Sequence, residues 1–311
     1  MYASATNTLL FRLCFCFVCT ATPGTTVEVM AADPATSQPG NETDSPAAQT
    51  YQLRFRFHPG DELRYHSVQT IRQHAVAPAG EKTDTSRVEQ KRVYRIQDTS
   101  ADGTATALMQ FEHVRMEIRT DDQEPVVFDS TMAPSEVPSV FRGTADQLAG
   151  AAPRFTVRET GSLVSAEGIE ENPKGGQAGF MMPLPENPVA VGESWKVHMV
   201  VGVRHAAGIM RQVTLLRSYK LKSVQDGIAE IEFATSIASQ IRSPQARAQL
   251  LQATPGGTIL FDLEKGQVTK REIRFDNFVL GAMGPNTSLS ATGKTVEQLM
   301  VDGQATRVTA R

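Results

Sequence analysis

Beyond residue 19 the chain contains no cysteine. Its three cysteines, Cys14, Cys16 and Cys19, all lie in one apolar run, "LLFRLCFCFVCTA" at residues 9–21. Cysteine acts there as a small hydrophobe, and no second ligand cluster accompanies the C-x-C-x-x-C spacing. With that run set aside, disulfides, thiol catalysis and thiolate-bound metal are excluded for the rest of the chain. Also missing is a run of about 20 apolar residues, the length a membrane-spanning helix needs. No block of one charge appears: 31 Lys and Arg are mixed with 34 Asp and Glu, for a net charge of −3. Neither a nucleic-acid partner nor a basic one is indicated.

Catalytic and cofactor motifs are absent too. The six histidines, His58, His66, His74, His113, His198 and His205, form no H-E-x-x-H or H-x-H pair, and no G-x-S-x-G elbow offers a serine nucleophile. "SLSATGKT" at 288–295 ends like a phosphate-binding loop, but Ser288 replaces the first glycine. Such a loop also needs a preceding parallel strand and a following helix, and the surrounding pattern is antiparallel β. The expectation is a protein that is not an enzyme and has no cofactor, no metal and no nucleic-acid partner.

What the chain does have begins at its N-terminus. The 9–21 run has the length of a signal-peptide core. Small residues at Val29 and Ala31 set a cut after Ala31, with an earlier cut after Ala21 as the alternative. Arg12 lies inside the run, so the charged leader is atypical, and Phe17 and Val18 before Cys19 do not fit a lipidation site. Export to the periplasm or cell exterior is the reading, with residues 1–31 a signal peptide. Residues 32–50, rich in Pro, Ser, Thr and Ala, read as a disordered leader.

From residue 51 period-two alternation dominates, as half-buried strands require. "YQLRFRF" (51–57), "KRVYRIQDT", "TALMQFEHVRMEI", "IAEIEFATSIAS" and "VTKREIRFDNFVL" all alternate, and Gly-containing turns separate them. Two segments look helical, 135–150 and 243–252, the second opening on Ser243-Pro244. The order also repeats. "PGDELRYH" (59–66) matches "VGESWKVH" (191–198), and Tyr94 and Gly103 match Tyr219 and Gly227. The two helices correspond, and Phe155 and Gly161 match Phe261 and Gly266. The fold class expected is mainly β with two short helices, as two tandem pseudo-repeats of curved antiparallel sheet packed as one body. The first repeat spans 51–169, a Gly/Pro-rich linker 170–188, the second repeat 189–284, and an extra strand and tail 285–311.

Two stretches invite a functional reading. "HPGDELRYH" (58–66) sets two histidines around Asp61 and Glu62, yet alternation puts Glu62, Arg64 and His66 together on one strand face. A neighbouring cation repels a metal ion, so this is a solvated face after a turn. In "GFMMPLP" (179–185) Phe180, Met181 and Met182 are adjacent, so one sheet face cannot bury all three. They either plug the seam between the repeats or form a Met-rich lip on an apolar cavity. The chain resembles a family of exported bacterial proteins known only as a domain of unknown function. "FRFHPGDELRYHSVQT", "VYRIQDTSADGTATALMQF" and "PENPVAVGESWKV" carry the resemblance over about residues 51–282. It implies no catalytic residues. At fold level the pattern is also similar to periplasmic lipoprotein carriers, whose half-barrels hold acyl chains. The expected function is binding of an apolar ligand, a lipid or a lipidated protein in the cell envelope. The alternative is an envelope scaffold or protein-interaction module with a filled core.

Overall fold

A computed structural model describes residues 28–30, 49–168, 181–204, 209–301 and 304–305. Its strands are β1 (Glu28–Met30), β2 (Thr50–Tyr51), β3 (Glu62–Ala77), β4 (Gly80–Thr99), β5 (Ala105–Thr120), β6 (Val126–Asp129), β7 (Arg154–Val157) and β8 (Leu163–Glu167). Then follow β9 (Val189–Ala190), β10 (Ser194–Arg204), β11 (Met210–Gln225), β12 (Ile228–Ile237), β13 (Gly256–Asp262), β14 (Gln267–Leu280), β15 (Ser288–Val301) and β16 (Gln304–Ala305). Two α-helices occur among the described residues, α1 (Arg142–Ala149) and α2 (Pro244–Ala248). The protein is mainly β with two short helices, the class its alternation predicts.

One antiparallel sheet runs in the order β1-β10-β11-β12-β13-β14-β15-β3-β4-β5-β7-β8, with β6 also pairing β5 and β16 also pairing β15, while β2 and β9 form a separate two-stranded sheet. Most neighbouring strands are sequential hairpins with short turns, but helix-containing connections join β5 to β7 and β12 to β13. The C-terminal strand β15 joins the halves edge to edge: it pairs with β14 on one side and β3 on the other. The strand expected beyond residue 285 is therefore the one that makes the sheet continuous. Glu28–Met30, inside the expected signal segment, pairs with Lys196–His198 of β10. A cut after Ala21 retains this strand, and a cut after Ala31 removes it.

Alternation decides which side chains enter the core. On β3 Tyr65 and Ile71 are buried while Thr70 and Arg72 are exposed. The main core joins both halves: Tyr65 meets Tyr94 at 6.1 Å, and Trp195 stacks on Tyr219 at 5.4 Å. "YQLRFRF" departs from expectation, because only Tyr51 of it lies in a strand. Residues 52–57 instead thread the core, with Leu53 and Phe55 buried. Phe55 N donates to Glu159 O and Arg56 N to Gly266 O, one bond to a turn in each half. Period two predicts extended backbone with one buried side, and that holds without a ladder partner. Both helices are shorter than expected. Residues 139–141 form a 3-10 turn that leads into α1 only after Pro138, and the chain leaves α-geometry after Ala248.

Several details recur between the halves. Gly60 N bonds Ile96 O and Ile96 N bonds Asp61 O, just as Gly192 N bonds Leu221 O and Leu221 N bonds Glu193 O. The ladder shifts register between Ile96 and Asp98, and again between Leu221 and Ser223. A second shift falls at Thr156/Val157 in one half and at Leu260/Phe261 in the other. Val157 pairs with Ala105 and Leu163, and Phe261 with Ala229 and Val268.

Candidate functional site

The stretch "HPGDELRYH" (58–66) is absorbed by ordinary strand chemistry. His58 Nδ1 lies 3.2 Å from the Asp61 carboxylate inside the turn. His66 Nε2 lies 2.9 Å from Glu89, its neighbour on β4. Glu62 accepts from Arg95 at 2.6 Å and also pairs with Arg64, and the two guanidinium groups hold its carboxyl below the usual range. These pairs lie toward solvent, where water and salt screen them and they contribute little to stability. Among the described residues no three His, Cys, Asp or Glu side chains group as metal ligands. "GKT" lies in the middle of β15, and a Cβ on Gly293 would stand 2.3 Å from the Phe275 ring. Glycine is there to let that ring lie across the strand.

Met181 and Met182 are 1% and 0% exposed. Leu184, two residues on, is equally buried, and Leu184 N bonds Thr160 O at 2.8 Å. Trp195 Nε1 donates to Pro183 O at 3.0 Å, and Arg271 Nη2 to Met181 O at 3.1 Å. Met181 and Met182 thus stand inside the main core, tied down by backbone bonds, rather than at the mouth of a cavity. Phe180 lies outside the described residues.

Arg271 belongs to a buried charged cluster on the same inner face. Arg271, Glu297, Ser67 and Gln90 stand in one row across β14, β15, β3 and β4. Glu297 pairs with Arg92 and lies 3.8 Å from Arg271, with its own side chain 4% exposed. Burial pushes the Arg271 guanidinium pKa down and the Tyr65 hydroxyl pKa up. Tyr65 and Tyr94 of the main core lie beside the cluster.

An opening does occur at one rim of the sheet. A cleft of about 700 Å³ lies between the end of β12, the loop and helix that follow, and the end of β14. Its apolar lining is Ile237, Ile241, Leu250, Leu251, Phe278 and Val279. Arg242, Arg247, Ser239, Gln240, Thr254 and Asn277 supply the polar groups.

Local chemistry fixes these walls. Ser243 caps α2 by accepting from Ala246 N at 3.3 Å, with Pro244 in the first turn. Ala246 and Ala248 face inward, so the helix lies close on the sheet. Asn277 Nδ2 donates to Leu251 O at 2.6 Å and to Thr254 Oγ1 at 3.1 Å, pinning the turn after the helix to β14. Arg247 Nε donates to Ile241 O at 3.0 Å and holds the preceding loop. Leu250 and Leu251 close the floor, while Ile237 and Phe278 remain 37% and 59% exposed. An open concavity with an apolar floor, neutral hydrogen-bonding groups and two guanidinium groups can take an apolar or amphiphilic molecule.

No family model matches the chain, and no curated protein matches it. The resemblance to exported bacterial proteins of unknown function therefore has no family model behind it. Among solved structures, one described as "lipid-protein interactions in lipovitellin" is similar over 82% of this chain and 27% of that one, at 11% identity and a TM-score of 0.48. The chain spans about a quarter of the lipovitellin chain's length. DynF from the dynemicin biosynthesis pathway of Micromonospora chersina is similar over 84% of this chain and 92% of that one, at 11% identity and a TM-score of 0.24.

Proposed function

We propose that the protein is an exported, non-catalytic binding protein that holds an apolar or amphiphilic ligand in the cleft beside α2. The ligand is a lipid or the acyl group of a lipidated protein in the cell envelope. The cleft itself carries this reading. Its volume of about 700 Å³ falls in the range of small-molecule sites, about 300–1,000 Å³. Each methylene buried there contributes about 0.8 kcal/mol, and Phe278 and Ile237 stand exposed without one. Export rests on the apolar run at 9–21, and the absence of catalytic machinery on the motif survey of the sequence.

One observation favours a second reading, a scaffold with no ligand. The main core is filled by the chain's own Met181, Met182 and Leu184, each at or below 1% exposure. A ligand therefore has the rim cleft to occupy, not the interior.

Native mass spectrometry of the protein purified without detergent from its producing cells addresses both parts. The expected spectrum shows a mature chain beginning after Ala21 or Ala31, with a lipid-mass adduct that dissociates on activation. Protein retaining Met1 contradicts export, and a spectrum of apo protein alone favours the scaffold.

A further inference from the structure

We propose that the rim carrying the cleft docks onto an anionic lipid bilayer. The inference extends the ligand reading by naming the surface from which an apolar ligand would come, but its geometry is independent of that reading.

The rim is assembled from three segments. Gln249, just after α2, ties the helix to the β10–β11 hairpin: Arg204 N donates to Gln249 Oε1 at 2.9 Å, and Gln249 Nε2 donates to Arg204 O at 2.6 Å. Gln245 Nε2 reaches Gly281 O at 3.3 Å, tying the same helix to the β14–β15 hairpin. The helix thus holds both hairpin ends at one edge of the molecule. Of the eight large hydrophobics that stand exposed among the described residues, five lie here: Ile209 (60%), Met210 (46%), Ile237 (37%), Phe278 (59%) and Leu280 (69%). Elsewhere exposed apolar residues are single valines, which need no explanation.

Charge is as unevenly distributed as hydrophobicity. Segments 199–213, 237–255 and 277–290 contain no aspartate or glutamate. They carry Arg204, Arg211, Arg242 and Arg247, all exposed. None of the four has a carboxylate of a described residue within ion-pair distance, whereas Arg54, Arg64, Arg92, Arg95 and Arg154 do. A net charge of −3 over the chain hides this cationic edge. Exposed aliphatic and aromatic side chains among unpaired guanidinium groups fit the bilayer interface. The apolar groups enter the acyl boundary, and arginine reads phosphate with its planar fork. Each cation close to an anionic leaflet adds about 1 kcal/mol. A soluble partner would be expected to bring carboxylates, but would leave Leu280 and Ile209 without the extended apolar phase that they fit.

The test is co-sedimentation of the full chain with vesicles of phosphatidylcholine alone and of phosphatidylcholine with phosphatidylglycerol. Binding is expected to the mixed vesicles, weakening as salt rises. Two variants avoid the cleft lining: R204E/R211E, and I209S/L280S. Each is expected to reduce partitioning by about ten-fold or more, with circular dichroism unchanged. Equal partitioning to both vesicle types, or variants that bind like the parent, overturns the proposal. An acyl probe in free solution separates the two readings. A parent that binds probe but no vesicles sinks docking and leaves the cleft reading standing. A parent that binds anionic vesicles but no probe does the reverse.

Discussion

Glu297 is the residue on which most buried charge depends. It faces Arg92 and Arg271, whose side chains are 16% and 8% exposed. Removing one partner of such a buried pair costs about 3–5 kcal/mol, because the remaining charge is left uncompensated. Glu297→Gln should therefore lower the unfolding free energy measured by urea titration by that amount, while replacing all three residues with apolar ones should recover much of the loss. A Glu297→Gln variant within about 0.5 kcal/mol of the parent, the scale of neutral surface changes, would show that the cluster is solvated. Nothing in the sequence marks this cluster. Arg92, Arg271 and Glu297 are far apart along the chain; β14–β15 pairing sets Arg271 against Glu297, and β15–β3 pairing brings β4 with Arg92 alongside. His66 is the opposite case, since its place on the outer face follows from local alternation alone.

At the scale of elements, two unladdered segments clasp the halves together. Residues 52–57 and 181–184 cross the turns at Gly161 and Gly266 closely enough that side chains there would collide. A Cβ on Gly161 would lie 1.9 Å from Met182 O, at a φ of +77°. Gly60 has a φ of +92° with nothing within 4 Å of such a Cβ. Both alanine variants carry the left-handed backbone cost of about 1–2 kcal/mol, but only Gly161→Ala also displaces the clasp. Thermal melts should show Gly161→Ala lowering Tm clearly more than Gly60→Ala. Equal shifts would mean that the clasp yields freely. The sequence shows which residues of 51–57 are buried, because burial follows from periodicity. It does not show that they lack a ladder partner, which depends on segments remote in sequence. For Met181 and Met182 adjacency posed a choice between plug and lip, and packing against Trp195 and Gly161 puts both in the core.

For the whole molecule, most of the strands join in one continuous antiparallel sheet. β15 pairs with both β14 and β3, and the cleft lies at a rim of the sheet, beside the end of β12 and the end of β14. The fold class was legible because hairpin order and alternation are local. The cleft was not, since Ile241, Leu250 and Phe278 come from a loop, a turn and a strand that meet only in the folded chain. One signal was present, the acid-free stretch at 237–255, but charge averaged over the chain conceals it. Whether the cleft takes an apolar ligand is decided by a titration with an environment-sensitive acyl probe. The parent should bind saturably, and I237W, which fills the open wall without touching the buried floor, should weaken binding by about ten-fold, or about 1.4 kcal/mol. Absence of saturable binding, or equal affinity in I237W, would contradict it.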